Sequence, residues 1–270
     1  MKNRKTANFY CRVCSSFFAI HLIFLCCVLL GSEKALADEV NVAVASNFKS
    51  TLQKISADFK VATGHDLKIS SGSSGKLFAQ IKHGAPYDVF LSADEKLPDL
   101  LIRDKTASSE SAYIYALGKL VFISNIEPES GCENVIYSNR LKHLAIANPE
   151  IAPYGLAAKQ VLQKLDLWQQ LQSRLVRGEN IAQTLQFVLT KNAQAGFVAR
   201  SMLNTAMLNM GRQIDFACIW DVPTGMYSAI KQKMVVLNKA KVKPAAWMFI
   251  QYMQSEAAKK IIESSGYDVL

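Results

Sequence analysis

The sequence predicts an α/β protein of two lobes, each with a mostly parallel sheet flanked by helices. Runs of small and β-branched residues alternate with runs of helical period, and this alternation forms two clusters, about 38–118 and 119–227. The remaining stretch, 228–270, is too short for a domain and is predicted to return to the first cluster. Two such lobes leave a cleft near the carboxyl ends of the strands, where open α/β folds bind ligands.

The first 37 residues are predicted to be a cleavable signal peptide and are set apart from the fold. Basic residues come first, an apolar run covers 17–30, and Ala35–Ala37 has the A-x-A pattern of a cleavage site. The apolar run is shorter than the roughly 20 residues that span a membrane, although a retained anchor is the alternative. Cleavage after Ala37 leaves 38–270 as an exported protein.

Charge and cysteine content narrow the functional classes. The signal carries five Lys/Arg and one Glu, so the totals of 31 and 22 fall to 26 basic and 21 acidic residues. This mild excess, without a basic run, does not predict nucleic-acid binding. Only Cys132 and Cys218 remain, either as one disulfide or as two thiols. Two cysteines and scattered histidines do not predict a metal site.

The first cluster consists of three strand–polar turn–helix units. Strand 40–45 is followed by Ser46 and Asn47, which are favourable helix N-caps, and then by a helix to Thr63. The other two units are strand 67–69 with a Ser/Gly turn and a helix from about Ser74, and strand 87–91 with a cap at 92–94 and a helix around 97–101. This repetition predicts a parallel sheet covered by helices.

The second cluster begins with a long apolar strand around 117–123. The later elements are predicted as strand 144–147, a helix from Pro153 and Tyr154, a helix from Ile181, strand 196–199, a Met-rich helix to Met210, strand 234–237 and a closing helix over 245–262.

Four helix starts share one chemistry, which predicts an anion site. They offer neutral side chains or bare backbone N–H groups, with no cationic side chain within two positions upstream: Ser46/Asn47, Ser74, Tyr154 and Ile181. The first turn of a helix has free N–H donors and the positive end of the helix dipole. One such start alone is typical of an ordinary capped helix. Several that converge from two lobes could bind a dianion without Lys or Arg.

The enzyme motifs are weak. Ser73 to Lys76 matches S-x-x-K, the nucleophile motif of penicillin-recognising enzymes, but S-D-N and K-T-G do not occur in the sequence. Leu77 stands where a P-loop needs Ser or Thr, and there is no H-E-x-x-H. A binding protein is therefore favoured, and an exported serine-dependent acyl hydrolase using Ser73 and Lys76 is the less favoured alternative.

Four segments carry a resemblance to a known family. ASNF at 45–48, SGSSGKL at 71–77, GAPYDVFLSAD at 84–94, and NP at 148–149 with PYG at 153–155 resemble the periplasmic molybdate-binding proteins of ABC transporters. The resemblance covers essentially the whole mature chain in the same order. GAPYDVFLSAD is its most specific part.

The resemblance implies a two-lobed type II periplasmic-binding-protein fold, with 38–118 plus 228–270 as lobe 1 and 119–227 as lobe 2. It implies a periplasmic monomer that is not an enzyme, has no cofactor and does not bind nucleic acid. Such a protein binds molybdate or tungstate, with molybdenum held only as the oxyanion, and delivers it to an ABC permease in the inner membrane. A different oxyanion, sulfate or phosphate, is the alternative.

The resemblance also implies ligand contacts. In the first lobe, the donors are hydroxyl, amide and backbone groups of Ser46, Asn47 and Ser74. In the second lobe, they are the backbone N–H groups of Tyr154 and Ile181. Ala93 is expected to line the cleft, with a possible backbone contact. In one branch of the family a tyrosine whose phenol reaches the oxyanion aligns with Ala199. Here Asn47 and Tyr154 are expected to take its place.

Overall fold

Two five-stranded sheets, each with helices on both faces, form the fold. The computed structural model describes residues 38–203 and 215–270. The predicted signal peptide, and the predicted Met-rich helix from position 204 onward, lie outside the described residues. Within the described ranges, no helix combines the length and the apolar character needed to cross a membrane.

The regular elements are numbered in chain order. The strands are β1 (Glu39–Ala45), β2 (Asp66–Gly72), β3 (Val89–Leu91), β4 (Tyr113–Gly118), β5 (Leu120–Ser124), β6 (Leu144–Ala147), β7 (Leu175–Gly178), β8 (Ala195–Ala199), β9 (Cys218–Asp221) and β10 (Ile230–Val236). The longer helices are α1 (Lys49–Thr63), α2 (Ser74–Lys82), α3 (Lys96–Arg103), α4 (Pro153–Lys164), α5 (Ile181–Leu189), α6 (Pro244–Met253) and α7 (Glu256–Ser264).

The strands separate into two sheets that define two lobes. The first lobe has the strand order β2-β1-β3-β10-β4 and packs against α1, α2, α3, α6 and α7. The second lobe has the order β7-β6-β8-β5-β9 and packs against α4 and α5. The predicted α/β class is confirmed. The sheets are mixed rather than mostly parallel, because β10 and β5 each pair antiparallel with two neighbours.

Strand β1 shows how the sequence forms a sheet that is buried on both faces. Val42 and Val44 pack in the same cluster as Phe48 of the following turn, whereas Ala43 belongs to the opposite cluster with Leu77 of α2. This alternation follows from the two-residue period of a strand. A central parallel strand needs apolar residues on both faces, which explains the unbroken run at 42–45.

The chain passes from one lobe to the other within a single residue. The predicted long strand 117–123 is observed as β4 and β5, with Lys119 between them. Because β4 belongs to the first sheet and β5 to the second, this segment connects the lobes. The chain returns between β9 and β10, and Lys119 Nζ forms an ion pair with Asp268 near the first connection.

Two predicted helix features differ in the structure. The closing helix is divided into α6 and α7, because the Ser255 hydroxyl accepts a hydrogen bond from the N–H of Ala258 and caps a new helix. The helix after β1 begins at Lys49, after a 3-10 turn over Ser46–Phe48, and neither Ser46 nor Asn47 caps it through its side chain. That turn brings both residues to the end of the strand.

The two cysteines form a disulfide. Cys132 lies in a 3-10 segment and Cys218 begins β9, and their Cα atoms are 5.6 Å apart. The sequence did not decide between a disulfide and two thiols. A disulfide is consistent with an exported protein.

Candidate functional site

A small cleft lies between the lobes, where several parallel strands end. Its walls come from the segments after β1, β2 and β3 in the first lobe and after β6 and β7 in the second. The space between the lining atoms is small, about 190 Å³ with open solvent included. Its lining residues are Ala45, Ser46, Asn47, Gly72, Ser73, Ser74, Ala93, Ala152, Pro153, Tyr154 and Ile181. All six residues that the sequence singled out as ligand contacts therefore lie around one cavity, although their contact with a ligand stays a prediction.

Ser74 is held at the start of α2 as a hydrogen-bond donor. Its neighbour Ser73 is the N-cap, whose hydroxyl accepts from the N–H of Lys76 at 3.4 Å. The Ser74 oxygen accepts a hydrogen bond from the N–H of Ala93 at 2.9 Å. A hydroxyl group both accepts and donates, so this bond orients Ser74 to donate its proton to another acceptor. The sequence predicted that Ala93 lines the cleft, with a possible backbone contact to the ligand; the structure places Ala93 in the lining and directs its N–H to Ser74.

Asn47 is fixed by bonds within the protein. Its side-chain amide donates to Gln232 Oε1 at 2.8 Å and to the Tyr267 hydroxyl at 2.9 Å. The same hydroxyl donates to the Asn47 carbonyl at 2.8 Å. Both amide hydrogens are thus used, and the donor that Asn47 can offer a ligand is its main-chain N–H. Ala199 is buried at the end of β8, opposite Leu120, and does not line the cleft. The replacement of a phenol by Asn47 and Tyr154 stays a prediction.

The second lobe offers helix starts. Pro153 is the first residue of α4, so Tyr154 lies in its first turn. The Asn180 side chain caps α5 by accepting from the N–H groups of Ala182 and Gln183. The cap therefore does not use the N–H of Ile181, the first residue of that helix. At these positions the backbone N–H groups of a helix have no acceptor within the helix.

Two contacts join the lobes next to the cleft. The N–H of Gly75 donates to the carbonyl of Ile151 at 2.9 Å, and Lys76 forms an ion pair with Glu179. A Cβ on Gly75 would lie 2.9 Å from Ile151 Cα, so this main-chain approach requires glycine. The lobes are therefore in contact around the cleft. Lys76 bonds to Glu179 in the opposite lobe, in a pair whose side chains are about half exposed.

The lining of the cleft has neutral chemistry. Among the described residues that form it, there is no Asp, Glu, Lys, Arg or His. Burial raises the pKa of the Tyr154 hydroxyl well above its ordinary value, so this phenol stays protonated. Within the described part of the chain, no group of three or more His, Cys, Asp or Glu residues could hold a metal ion. Neutral donors around a buried cleft fit an anion rather than a cation.

One carboxylate close to the lining along the chain belongs to Asp94, which follows Ala93. Burial raises its pKa, while hydrogen bonds from the N–H of Leu97 and the hydroxyl of Ser92 lower it. The bond to Leu97 joins Asp94 to the first turn of α3, but the N-cap position is Glu95, one residue after the cap that the sequence predicted at 92–94. Asp94 itself does not line the cleft.

The geometry gives no support to a Ser–Lys catalytic pair. The Ser73 hydroxyl accepts from the main-chain N–H of Lys76, and the Lys76 amine bonds to Glu179. A general base must reach the proton that it removes, and here the amine is engaged with a carboxylate of the other lobe.

Sequence reasoning missed two residues next to the site, Gln232 and Tyr267. Gln232 is fully buried on β10, between neighbours that face the opposite side of the strand. A buried glutamine at an inward position of a strand was the available signal, since buried polar side chains are hydrogen-bonded.

Comparisons with known proteins show the family of the chain. A profile of the family described as bacterial extracellular solute-binding protein matches residues 40–268. The chain is 41% identical over 237 residues to the molybdate-binding protein ModA of Azotobacter vinelandii, covering 86% of this chain and 91% of that one.

Two solved structures are also similar. The periplasmic molybdate-binding protein of Azotobacter vinelandii has a TM-score of 0.79 and 37% identity, covering 86% of this chain and 99% of that one. The substrate binding domain of a putative molybdenum ABC transporter from Clostridium difficile has a TM-score of 0.63 and 27% identity, covering 87% and 100%.

Proposed function

The chain belongs to the molybdate-binding proteins among the bacterial extracellular solute-binding proteins, and we propose that it captures molybdate or tungstate in its interlobe cleft. The observation that carries this proposal is the convergence of Ser46, Asn47, Ser74, Tyr154 and Ile181 on one cavity. These residues come from two lobes and from four strand ends. Donors at helix starts stabilise negative charge without a cationic side chain.

The lining favours a fully deprotonated dianion. Its polar groups are hydroxyls, an amide and main-chain groups, and no carboxylate belongs to the part of the lining that the structure describes. Near pH 7 phosphate is a mixture of hydrogenphosphate and dihydrogenphosphate, and each form carries at least one proton that needs an acceptor. Molybdate and tungstate at neutral pH carry none. Molybdenum would then be bound only as the oxyanion, through hydrogen bonds to its oxygen atoms.

The relatives favour molybdate over sulfate. The Azotobacter vinelandii protein is described as molybdate-binding, and its 41% identity covers 86% of this chain. A sulfate-binding protein from Mycobacterium tuberculosis shares the fold at 11% identity, which says nothing of the ligand. Sulfate is therefore the second candidate anion, supported by the neutral lining alone.

The same proposal covers the location and the partner. We infer export to the periplasm by cleavage after Ala37, and delivery of the anion to an ABC permease, as the name of the Clostridium difficile relative suggests. The proposed lobes are 38–118 plus 228–270 and 119–227, boundaries that agree with the strands of each sheet. The protein acts as a monomeric carrier without catalytic activity.

Calorimetric titration tests this function. Protein recovered from the periplasm is titrated with molybdate, tungstate, sulfate and phosphate in turn. We expect one site that binds the first two anions at least tenfold more tightly than the others. Absence of heat with molybdate and tungstate would refute the proposal. Tight sulfate binding would instead support the second candidate. An intact mass that matches a mature chain beginning at Asp38 would establish the cleavage site.

A serine-directed acylating probe tests the remaining alternative. We expect no labelling of Ser73, because the Lys76 amine bonds to Glu179 rather than to the serine. Covalent labelling of Ser73 with turnover of an ester would contradict the carrier function.

A further inference from the structure

A buried hydrogen-bond network lies behind the anion site. Gln232 Oε1 accepts from Asn47 and, at 3.1 Å, from the Tyr115 hydroxyl, while its Nε2 donates to the Tyr154 hydroxyl at 3.4 Å. The Tyr267 hydroxyl accepts from Asn47 and, at 2.8 Å, from the Ser201 hydroxyl. All of these side chains are at least 97% buried.

Two bonds of this network cross from one lobe to the other. Gln232 lies on β10 of the first lobe, and its partner Tyr154 lies on α4 of the second. Tyr267 is in the tail that follows α7, and Ser201 follows β8 of the second lobe. These bonds form only while the lobes are in contact. The bonds from Asn47 to Gln232 and Tyr267, in contrast, stay within the first lobe.

We propose that Gln232 and Tyr267 are positioning residues of the anion site, which hold Asn47 in place and couple its position to closure of the lobes. This inference rests on the proposed function. The three bonds between Asn47 and these two residues fix both the side chain and the carbonyl of the 3-10 turn. The main-chain N–H groups of that turn are then directed by two residues that do not line the cleft.

The packing around the network supports a positioning role. The Phe48 ring lies between the rings of Tyr115 and Tyr267, with centroids 4.7 and 5.3 Å away. These contacts fix the phenols from the side. Gly118 provides the space, because a Cβ there would lie 2.3 Å from the Tyr154 oxygen and 3.0 Å from Gln232 Nε2. Tyr154 of the second lobe reaches Gln232 because this residue has no side chain.

Burial also keeps the network uncharged. It raises the pKa of the hydroxyl groups of Tyr115, Tyr154 and Tyr267 above the ordinary value. The network therefore adds no negative charge next to the anion, and its phenols remain able to donate.

The test compares two hydroxyl deletions in the full exported protein. Tyr267→Phe keeps the ring against Phe48 and removes the bonds to Asn47 and Ser201. Ser201→Ala removes only the bond between the lobes. Tyr252→Phe is the matched control, since it deletes a phenol oxygen of the first lobe outside the network. Molybdate affinity is measured by calorimetry, and rates by stopped-flow tryptophan fluorescence.

We expect Tyr267→Phe to raise the Kd roughly three- to tenfold, the effect of about one hydrogen bond. Ser201→Ala should raise the dissociation rate by a few fold and leave the association rate unchanged, because its bond exists only in the closed state. Tyr252→Phe should alter neither. Unchanged affinity and rates in both Tyr267→Phe and Ser201→Ala, with only a lower Tm, would overturn the proposal.

A folding defect does not block the test. If Tyr267→Phe fails to fold, Ser201→Ala alone decides through its dissociation rate, since it removes only one oxygen. Failure of the proposed function is distinguishable, because the wild-type protein would then show no molybdate binding at all.

Discussion

Replacing Ser74 with alanine tests the anion site most directly. The substitution removes one oxygen with two functions, donation toward the cleft and acceptance from the N–H of Ala93 at 2.9 Å. The first function should contribute to affinity and the second to folding. Because they can be measured separately, the variant separates a ligand contact from a structural contact.

The expected loss of affinity follows from one hydrogen bond to a charged ligand that several donors share. We expect the free energy of binding to weaken by about 1–2 kcal/mol, which is a roughly 5- to 30-fold higher Kd for molybdate. Stability should also fall, by about 1–3 kcal/mol, because the N–H of Ala93 loses its partner in a buried site. Calorimetry gives the first quantity and urea unfolding without ligand gives the second.

Ser255→Ala is the control, since Ser255 caps α7 and does not line the cleft. It should cost about 0.5–2 kcal/mol of stability and leave the Kd unchanged. The reasoning fails if Ser74→Ala loses stability but keeps its Kd within twofold. It also fails if Ser255→Ala loses as much affinity as Ser74→Ala, because the effect would then reflect stability alone.

Three further predictions concern charge and covalent structure. Lys76→Ala should raise the Kd less than about fivefold, since its pair with Glu179 is half exposed; a loss above tenfold in the same titration would mean that the lysine contacts the anion. Replacing Cys132 and Cys218 with serine should lower the free energy of unfolding by about 2–4 kcal/mol, because the bridge joins residues 86 apart. Urea unfolding measures this loss, and calorimetry should show an unchanged Kd. Unchanged stability would contradict the prediction. The raised pKa of Asp94 means that the folded state binds more protons than the unfolded state above pH 3.8, so stability should fall as the pH rises from there through the folded-state pKa. Asp94→Asn should lack this decline in urea unfolding at pH 4 and pH 7, and parallel pH profiles would refute the assignment.

Local sequence patterns were sufficient for most of the fold. The small and β-branched run before Ser46 and the helical spacing after it predicted β1 and α1, because both periods are local. Helix starts at Ser74, Tyr154 and Ile181 were placed correctly, since proline, serine and asparagine favour such positions for local reasons. The resemblance then brought these separate starts into one site.

Long-range contacts account for what the sequence could not give. Gln232 is 185 residues from Asn47 along the chain and Tyr267 is 220, yet both bond to its amide. No local pattern connects such residues. The amide of Asn47 was therefore expected at the ligand, although the structure uses it internally. The break between α6 and α7 was missed for a different reason, since the apolar spacing continues through Ser255 and only the cap ends the helix.

The contact between Gly75 and Ile151 limits how closely the two lobes can approach each other. The main chains meet directly, so the clearance is set by backbone atoms that cannot rotate away. A methyl group at this position would lie 2.9 Å from Ile151 Cα and would need about 0.6 Å more to reach ordinary carbon contact. Alanine at position 75 would thus keep the two main chains apart by a known distance. A variant with this substitution keeps every donor but closes incompletely. It would show whether a permease recognises the bound anion or the complete closure of the lobes.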